Sequence, residues 1–276
     1  MASVTTGVLH PGAMGLTIAS TCAGRVLWAG EGRSPATARR ASEGSLEDVR
    51  TVAAMVEQAD VIVSVCPPGA ALDQARHVAE AGFGGTYVDA NAVAPATARS
   101  IGELFDSFVD GGIVGPPAHR PGTTRMYLSG VDAAEVAPRW NDSALEVRTI
   151  DGGPGAASAV KMCFAGWTKG TSALLLAIRA VAEAEGVADD LLAEWETSMP
   201  DLIGRSEHTA PAVGPKAWRF APEMEEIAAT FGDAGLPDGF HLAAAQIYER
   251  LAAFKDADPG PDLTAAVSAL LSTESD

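Results

Sequence analysis

The sequence predicts an α/β chain in which a doubly wound parallel sheet is followed by an all-helical C-terminal region. Three observations carry this. Strand-like runs alternate with helix-period segments through the first half of the chain. A glycine-rich turn, Gly7-Val-Leu-His-Pro-Gly-Ala-Met-Gly15, follows the first of those runs and opens a helix. Beyond about Gly155 the alternation stops, and alanine, leucine and methionine recur at helical spacing. The expected division is therefore 1–152 for the sheet region and 153–276 for the helical region.

Taken in order, strands are expected at Thr5–Leu9, Arg25–Trp28, Val61–Cys66, Thr86–Asp89, Ser107–Val114 and Met126–Ser129. The run Val61-Ile-Val-Ser-Val reads as a central strand buried on both faces. Helices are expected between them at Met14–Cys22, Ala36–Ala41, Leu46–Gln58, Leu72–Ala81 and Pro95–Leu104. One long helix then runs from Gly155 to Glu185 and is ended by Gly186. Further helices fall near Leu191–Arg205, Pro222–Phe231, Phe240–Phe254 and Leu263–Leu271, separated by Pro- and Gly-rich loops. The tail Ser272–Asp276 reads as frayed. No internal repeat or low-complexity tract is visible.

Composition bounds the function. A 47% hydrophobic content supports a real core, and the low aromatic share of 6% leaves alanine, valine and leucine to fill it. A net charge of −17 argues against a nucleic-acid partner, which needs a basic surface. The 3 cysteines, Cys22, Cys66 and Cys163, have neither metal nor disulfide spacing and sit in apolar contexts. Buried free thiols and a reducing cytoplasm are expected. Met1-Ala-Ser-Val-Thr-Thr lacks the basic start of a signal peptide, and no apolar run is long enough to span a bilayer.

The turn after the first strand is where backbone N–H groups meet a dinucleotide pyrophosphate in a Rossmann sheet. Leu9, His10, Pro11, Gly12, Ala13, Met14 and Gly15 are the candidate cofactor contacts there. Gly12 lets the backbone approach the phosphates, and Gly15 lets the helix lie close on the strand. His10 occupies the position of the usual first glycine, where it either donates to a phosphate, packs over the nicotinamide or stiffens the turn. Pro11 removes one N–H donor. The second strand ends in Ala29-Gly-Glu-Gly-Arg-Ser-Pro35, followed by Arg39 and Arg40. Arg33 and Ser34 stand where a ribose 2′-phosphate would lie, and a guanidinium matches phosphate oxygens, so NADP is favoured over NAD. Glu31 is the contrary signal. Cys66, Pro67 and Pro68 end the central strand, and Asn91 follows the next one, at strand ends that line the cofactor crevice.

These pieces resemble the β-hydroxyacid dehydrogenase superfamily, which includes 3-hydroxyisobutyrate dehydrogenase, the 6-phosphogluconate dehydrogenases and the imine reductases. The resemblance covers nearly the whole chain. It rests on the Gly7–Gly15 turn with its Met-Gly ending, Gly32-Arg-Ser-Pro35, Val88-Asp-Ala-Asn-Ala-Val-Ala-Pro95, Asp110-Gly-Gly-Ile-Val-Gly-Pro-Pro117 with Gly122-Thr-Thr124, and Gly155-Ala-Ala-Ser-Ala-Val-Lys161. It implies an NADP-linked oxidoreductase with Lys161 as general acid/base, substrate contacts at Gly115 and Pro116, and a homodimer built on the long helix. Three positions depart from the hydroxyacid enzymes. Their substrate-binding serine falls on Val114, their asparagine one turn after the lysine on Ala165, and a later lysine on Glu223. A small simple hydroxyacid is therefore not the expected substrate.

Lys161 is the central candidate, because a lysine partly desolvated in a cleft trades a proton with an alcohol or carbonyl oxygen near neutral pH. The bland alternative is a lysine that snorkels to the surface. Thr168 shares its helix face and is a substrate-pocket candidate. Lys169 points about a quarter-turn away and is expected as a surface or interface charge. Glu223 clusters with Glu225 and Glu226, a pattern usually solvated; in the family lysine's place it would favour an amine or cation. His241 is also a substrate candidate, although aromatic residues in such a region, Trp218 and Tyr248 among them, more often fill the core. His119, Arg120 and Arg125 are either an anion clamp or exposed loop charges. No Tyr-x-x-x-Lys pair, Gly-x-Ser-x-Gly elbow, His-Glu-x-x-His zinc motif or Gly-Lys-Ser/Thr loop competes. The alternatives that stay open are an imine reductase and a non-catalytic NADPH sensor.

Overall fold

The computed structural model describes Val4–Ser272, so Met1–Ser3 and the end of the expected frayed tail lie outside the described residues. Eight strands form one sheet in the order β3-β2-β1-β4-β5-β6-β7-β8. They are β1 (Thr5–Val8), β2 (Arg25–Trp28), β3 (Glu47–Asp48), β4 (Val61–Ser64), β5 (Thr86–Asp89), β6 (Ser107–Val114), β7 (Thr124–Ser129) and β8 (Leu145–Thr149). All pairings are parallel except β6 with β7. The first six strands follow the order of the dinucleotide-binding fold, with the switch between β1 and β4.

The alternation of side chains along β4 explains why helices cover both faces. Ile62 enters one core with Leu9, Leu27, Met55 and Tyr87. Its neighbours Val61 and Val63 enter the other with Ile18, Val88, Val109 and Met126. The covering helices are α1 (Ala13–Ser20), α2 (Pro35–Glu43), α3 (Val52–Val56), α4 (Ala71–Glu80), α5 (Pro95–Gly102) and α6 (Ala133–Val136).

The expected helix over Leu46–Gln58 is corrected. Glu47–Asp48 pairs with β2 as β3, and only Val52–Val56 is helical. The Asp48 carboxylate accepts the Gly30 and Arg50 amides, which ties that segment to the sheet edge. Strand β8, a polar edge strand lacking clear alternation, had no signal in the sequence.

Helix α7 (Ala156–Ala184) is followed by α8 (Ala188–Ser198), α9 (Asp201–Val213), α10 (Ala217–Asp233), α11 (Gly239–Arg250) and α12 (Leu263–Leu271). The single helix expected over Leu191–Arg205 is two, broken at Met199-Pro200, as the proline disfavours helix in the residue before it. The chain divides into two compact units, one ending at Met162 and one beginning at Cys163. The division therefore falls inside α7 and not at 152/153, because the first turns of α7 are bonded to the sheet. Among the described residues no helix is long and apolar enough to cross a membrane, and no cluster of His, Cys, Asp and Glu suits a metal ion.

Candidate functional site

The first half of the site lies at the C-terminal ends of β1, β4 and β5. Leu9 continues β1 by donating its amide to Val63 O (3.1 Å) and is fully buried, so only its backbone faces the turn. Gly12 begins α1 with no side-chain cap, and no acidic residue occupies the first turn. Those helix amides are therefore available to an anion. A Cβ built on Gly12 meets nothing within 4 Å, so the turn faces open space. A Cβ on Gly15 would fall 2.0 Å from the His10 carbonyl oxygen, which is why only glycine lets α1 approach β1. Pro11 is buried, Met14 half-buried and Ala13 exposed.

The turn is electropositive. His10 is held down to about 4, first by burial and then by the Arg33 charge, so its imidazole is neutral at physiological pH. Its buried Nδ1 has no hydrogen-bond partner among the described residues. Arg40 reaches the Pro11 carbonyl through Nε (3.4 Å) and Thr37 Oγ1 through Nη2 (3.1 Å). Thr37 Oγ1 lies 3.1 Å from Ser34 Oγ, and Ser34 caps α2 by accepting the Thr37 amide. Among the described residues neither Arg33 nor Arg40 pairs with a carboxylate. In a chain of net charge −17, two half-buried guanidiniums without a carboxylate partner among the described residues stand beside an open helix start, a set of groups that suits an anion. An orphaned ring nitrogen, an open glycine and these cations together fit a dinucleotide phosphate.

Across the β1/β4 switch, Asn91 is buried and internally engaged. It accepts the Cys66 amide (2.5 Å) and donates to Ser64 Oγ (3.1 Å) and Asp89 Oδ1. It braces the ends of β4 and β5, which fixes the Cys66-Pro67-Pro68 rim. Burial pushes the Cys66 thiol up to about 12, so it is no nucleophile at neutral pH. Pro67 is exposed and Pro68 buried.

Lys161 is half-buried, near the start of α7. It stands directly over β6: a Cβ on Gly112 would lie 3.1 Å from Lys161 Cβ and 2.4 Å from Ala157 O. Val114, on the same face of β6, is buried and offers no hydroxyl. Gly115, at φ +122°, and Pro116 lie exposed on the following loop. That loop is anchored by Thr124 Oγ1 on Pro116 O (2.5 Å) and by the Ala118 amide on Thr17 Oγ1 (3.0 Å). His119 and Arg120 are exposed loop residues.

The other candidates lie in the helical unit. Thr168 donates to Phe164 O (3.1 Å) within α7. Two expectations are corrected. Lys169 is not a surface charge, and Glu223 is not on a solvated face. Their side chains are only 13% and 11% exposed and pair at 2.5 Å, because Phe220 and Tyr248 close over them. Glu225 alone of the acidic cluster is fully exposed. His241 is buried against Phe231 (4.2 Å between ring centroids) and Phe240, and that burial lowers its pKa. The expectation of buried thiols also fails at Cys163, which is exposed on α7; Cys22 and Cys66 are half-buried.

Asp110 enters the resemblance only as the first residue of the Asp110–Pro117 segment, with no role of its own. The only available sign was an acidic residue inside an otherwise apolar strand, Ser107-Phe-Val-Asp-Gly-Gly-Ile-Val114, whose burial is complete.

An open glycine turn at the switch point of a doubly wound sheet, with a half-buried lysine over β6, is the arrangement of a dinucleotide-type fold. Comparison with known proteins narrows this. Residues 182–251 match a family model described as a domain of unknown function, DUF1932. The chain is 30% identical over 164 residues to an uncharacterized 28.5 kDa protein of Methanothermus fervidus, a match that covers 59% of this chain and 63% of that relative. Among solved structures it is similar to the conserved protein MTH1747, of unknown function and structurally similar to 3-hydroxyacid dehydrogenases. That match has 28% identity and a TM-score of 0.66, over 90% of this chain and 96% of the other. The Mycobacterium tuberculosis 3-hydroxyisobutyrate dehydrogenase, with L-serine, matches at 18% identity and a TM-score of 0.70, over 98% and 100% of the two chains. An Aspergillus terreus reductive aminase in complex with NADPH matches at 19% and 0.55, over 97% and 99%. The chain has the hydroxyacid dehydrogenase fold.

Proposed function

We propose that this chain is an NADPH-dependent oxidoreductase acting on a small molecule whose reacting carbon bears oxygen, with Lys161 as general acid/base. The observation that carries the reading is the pairing of an open, cationic phosphate turn with a half-buried lysine set against β6 in the same compact unit. His10, Gly12–Gly15 and Arg40 would hold the pyrophosphate, and Arg33 and Ser34 the 2′-phosphate that distinguishes NADP. When bound, the nicotinamide supplies or accepts a hydride. Lys161 gives a proton to the substrate oxygen on reduction and removes it on oxidation. Val114, buried on the same face of β6 as Gly112, adds an apolar neighbour at the strand end. The fold shared with a reductive aminase that binds NADPH supports the cofactor.

Imine reduction is the second reading. It is favoured by Val114 and Ala165, both buried, which remove the contacts that would hold a hydroxyacid. A panel of ketones, hydroxyacids and cyclic imines, followed by NADPH depletion, tests both. Turnover of ketones that falls about a hundredfold in Lys161→Ala supports the first reading. Turnover of imines alone selects the second. NADPH binding without turnover on any substrate, unaffected by Lys161→Ala, identifies a sensor and contradicts both.

We also propose a homodimer. Phe164, Trp167, Leu174, Ile178 and Val181 are exposed on α7 at steps of three, seven, four and three residues, which keeps them on one face of the helix. A second copy presents the same stripe about a twofold axis. Trp167→Glu is expected to shift the mass in light scattering to that of the 28.2 kDa monomer. The free cysteines fit a reducing, cytoplasmic setting.

A further inference from the structure

We propose that Asp110 is the positioning residue for Lys161, acting through the first turn of α7. The inference rests on the reading of Lys161 as the proton-handling group. Asp110 is completely buried on β6, opposite Ser129 of β7. Its Oδ2 accepts the Gly155 amide (3.0 Å) and the Ser158 amide (3.0 Å), and its Oδ1 accepts Ser158 Oγ (2.6 Å). Ser129 Oγ accepts the Ala157 amide (3.0 Å) and lies 3.1 Å from Asp110 Oδ2 and 3.2 Å from Gly153 O, donating to one of them at a time. The Ala156 amide goes to Gly153 O (3.2 Å).

The amides that a helix start leaves unpaired are thus met from across the fold. A carboxylate at a helix start also opposes the helix dipole favourably. The consequence for Lys161 follows from the alternation of β6. Asp110, Gly112 and Val114 share one face. Asp110 clamps the helix end. Gly112, having no side chain, admits the Ala157 carbonyl at a distance a Cβ would forbid and leaves Lys161 Cβ in close approach. Val114 then borders the space next along the strand. Rotation and height of α7 are fixed one turn before Lys161, so the ammonium group cannot swing with a loose helix end.

The test exploits the scarcity of lysine: the chain has only Lys161, Lys169, Lys216 and Lys255. Reductive methylation with carbon-13 formaldehyde gives each a separate NMR signal, and Lys161→Arg identifies the one from position 161. In Asp110→Asn, which keeps the shape but faces the helix amides with an NH₂, the Lys161 signal is expected to move to the free dimethyl-lysine position while the other signals stay. NADPH affinity is expected to stay within about twofold, and turnover at saturating substrate to fall about tenfold or more, since small displacements of a reacting group are costly. Ser158→Ala removes one bond and is expected to show a smaller displacement of the same signal. This variant carries the test if Asp110→Asn does not fold. An unmoved Lys161 signal overturns the proposal, whatever turnover does. A moved signal in a protein that turns over nothing upholds the positioning and sinks the proposed function instead.

Discussion

The sheet unit and the helical unit treat buried polar groups in opposite ways. In the helical unit the charges close on each other: Lys169 meets Glu223 under Phe220, and Tyr248 donates to the Lys169 carbonyl (2.8 Å). In the sheet unit, ordered polar groups end at an opening. Asn91 braces a strand end, Asp110 clamps a helix start, and Arg33 and Arg40 have no carboxylate partner among the described residues, beside a glycine that faces open space. A buried ion pair is weak evidence of chemistry, because its charges are already matched. Unmatched cations in an acidic protein need an external anion. The contrast supports the proposal that the cofactor binds the sheet unit, and we propose a structural role for the Lys169–Glu223 pair.

That contrast can be broken at several points. The largest effect is expected on stability in the helical unit. Lys169→Met strands the Glu223 carboxylate in a buried setting and is expected to cost about 3–5 kcal/mol in denaturant unfolding. Replacing both, with Lys169→Met and Glu223→Leu, is expected to restore much of it. NADPH affinity unchanged in the double variant supports the structural role; affinity lost in it would return the pair to the binding site.

The next effect is a pH dependence in the sheet unit. The unfolded chain protonates His10 near 6.5, whereas the folded chain does so only at about 4. The folded state therefore binds fewer protons between those values, and stability falls as pH drops through that window, by at most about 3 kcal/mol. In His10→Asn this component is expected to vanish from the pH profile of the unfolding midpoint. An identical profile in the variant contradicts a neutral, buried His10.

The smallest effect is on cofactor choice. Arg33→Ala is expected to weaken NADPH about tenfold and leave NADH nearly unchanged in fluorescence titrations. Equal losses for both would move Arg33 from the 2′-phosphate to the pyrophosphate.

The legibility of the chain follows the same division. Strands buried on both faces, such as Val61–Ser64 and Thr86–Asp89, stand out as apolar runs, and the Gly12/Gly15 turn has a steric reason visible in its spacing. Edge strands β3 and β8 lack that signal, because one is two residues long and the other is mostly polar. Lys161 stands out in the sequence as a lysine near the start of an otherwise apolar helix, and its proposed role rests on the resemblance. Asp110 is not, since its meaning comes from residues 45 and 48 positions away that only the folded sheet brings close. The Lys169–Glu223 pair fails for the same reason: helix period places Lys169 at the side of α7, but not which partner covers it.

The most direct test is a structure of the protein with NADPH bound. The account predicts the pyrophosphate on the Gly12–Gly15 turn and the reactive ring carbon facing the Lys161 amine across β6. A nucleotide bound elsewhere, or an amine at 161 directed away from that ring, contradicts it.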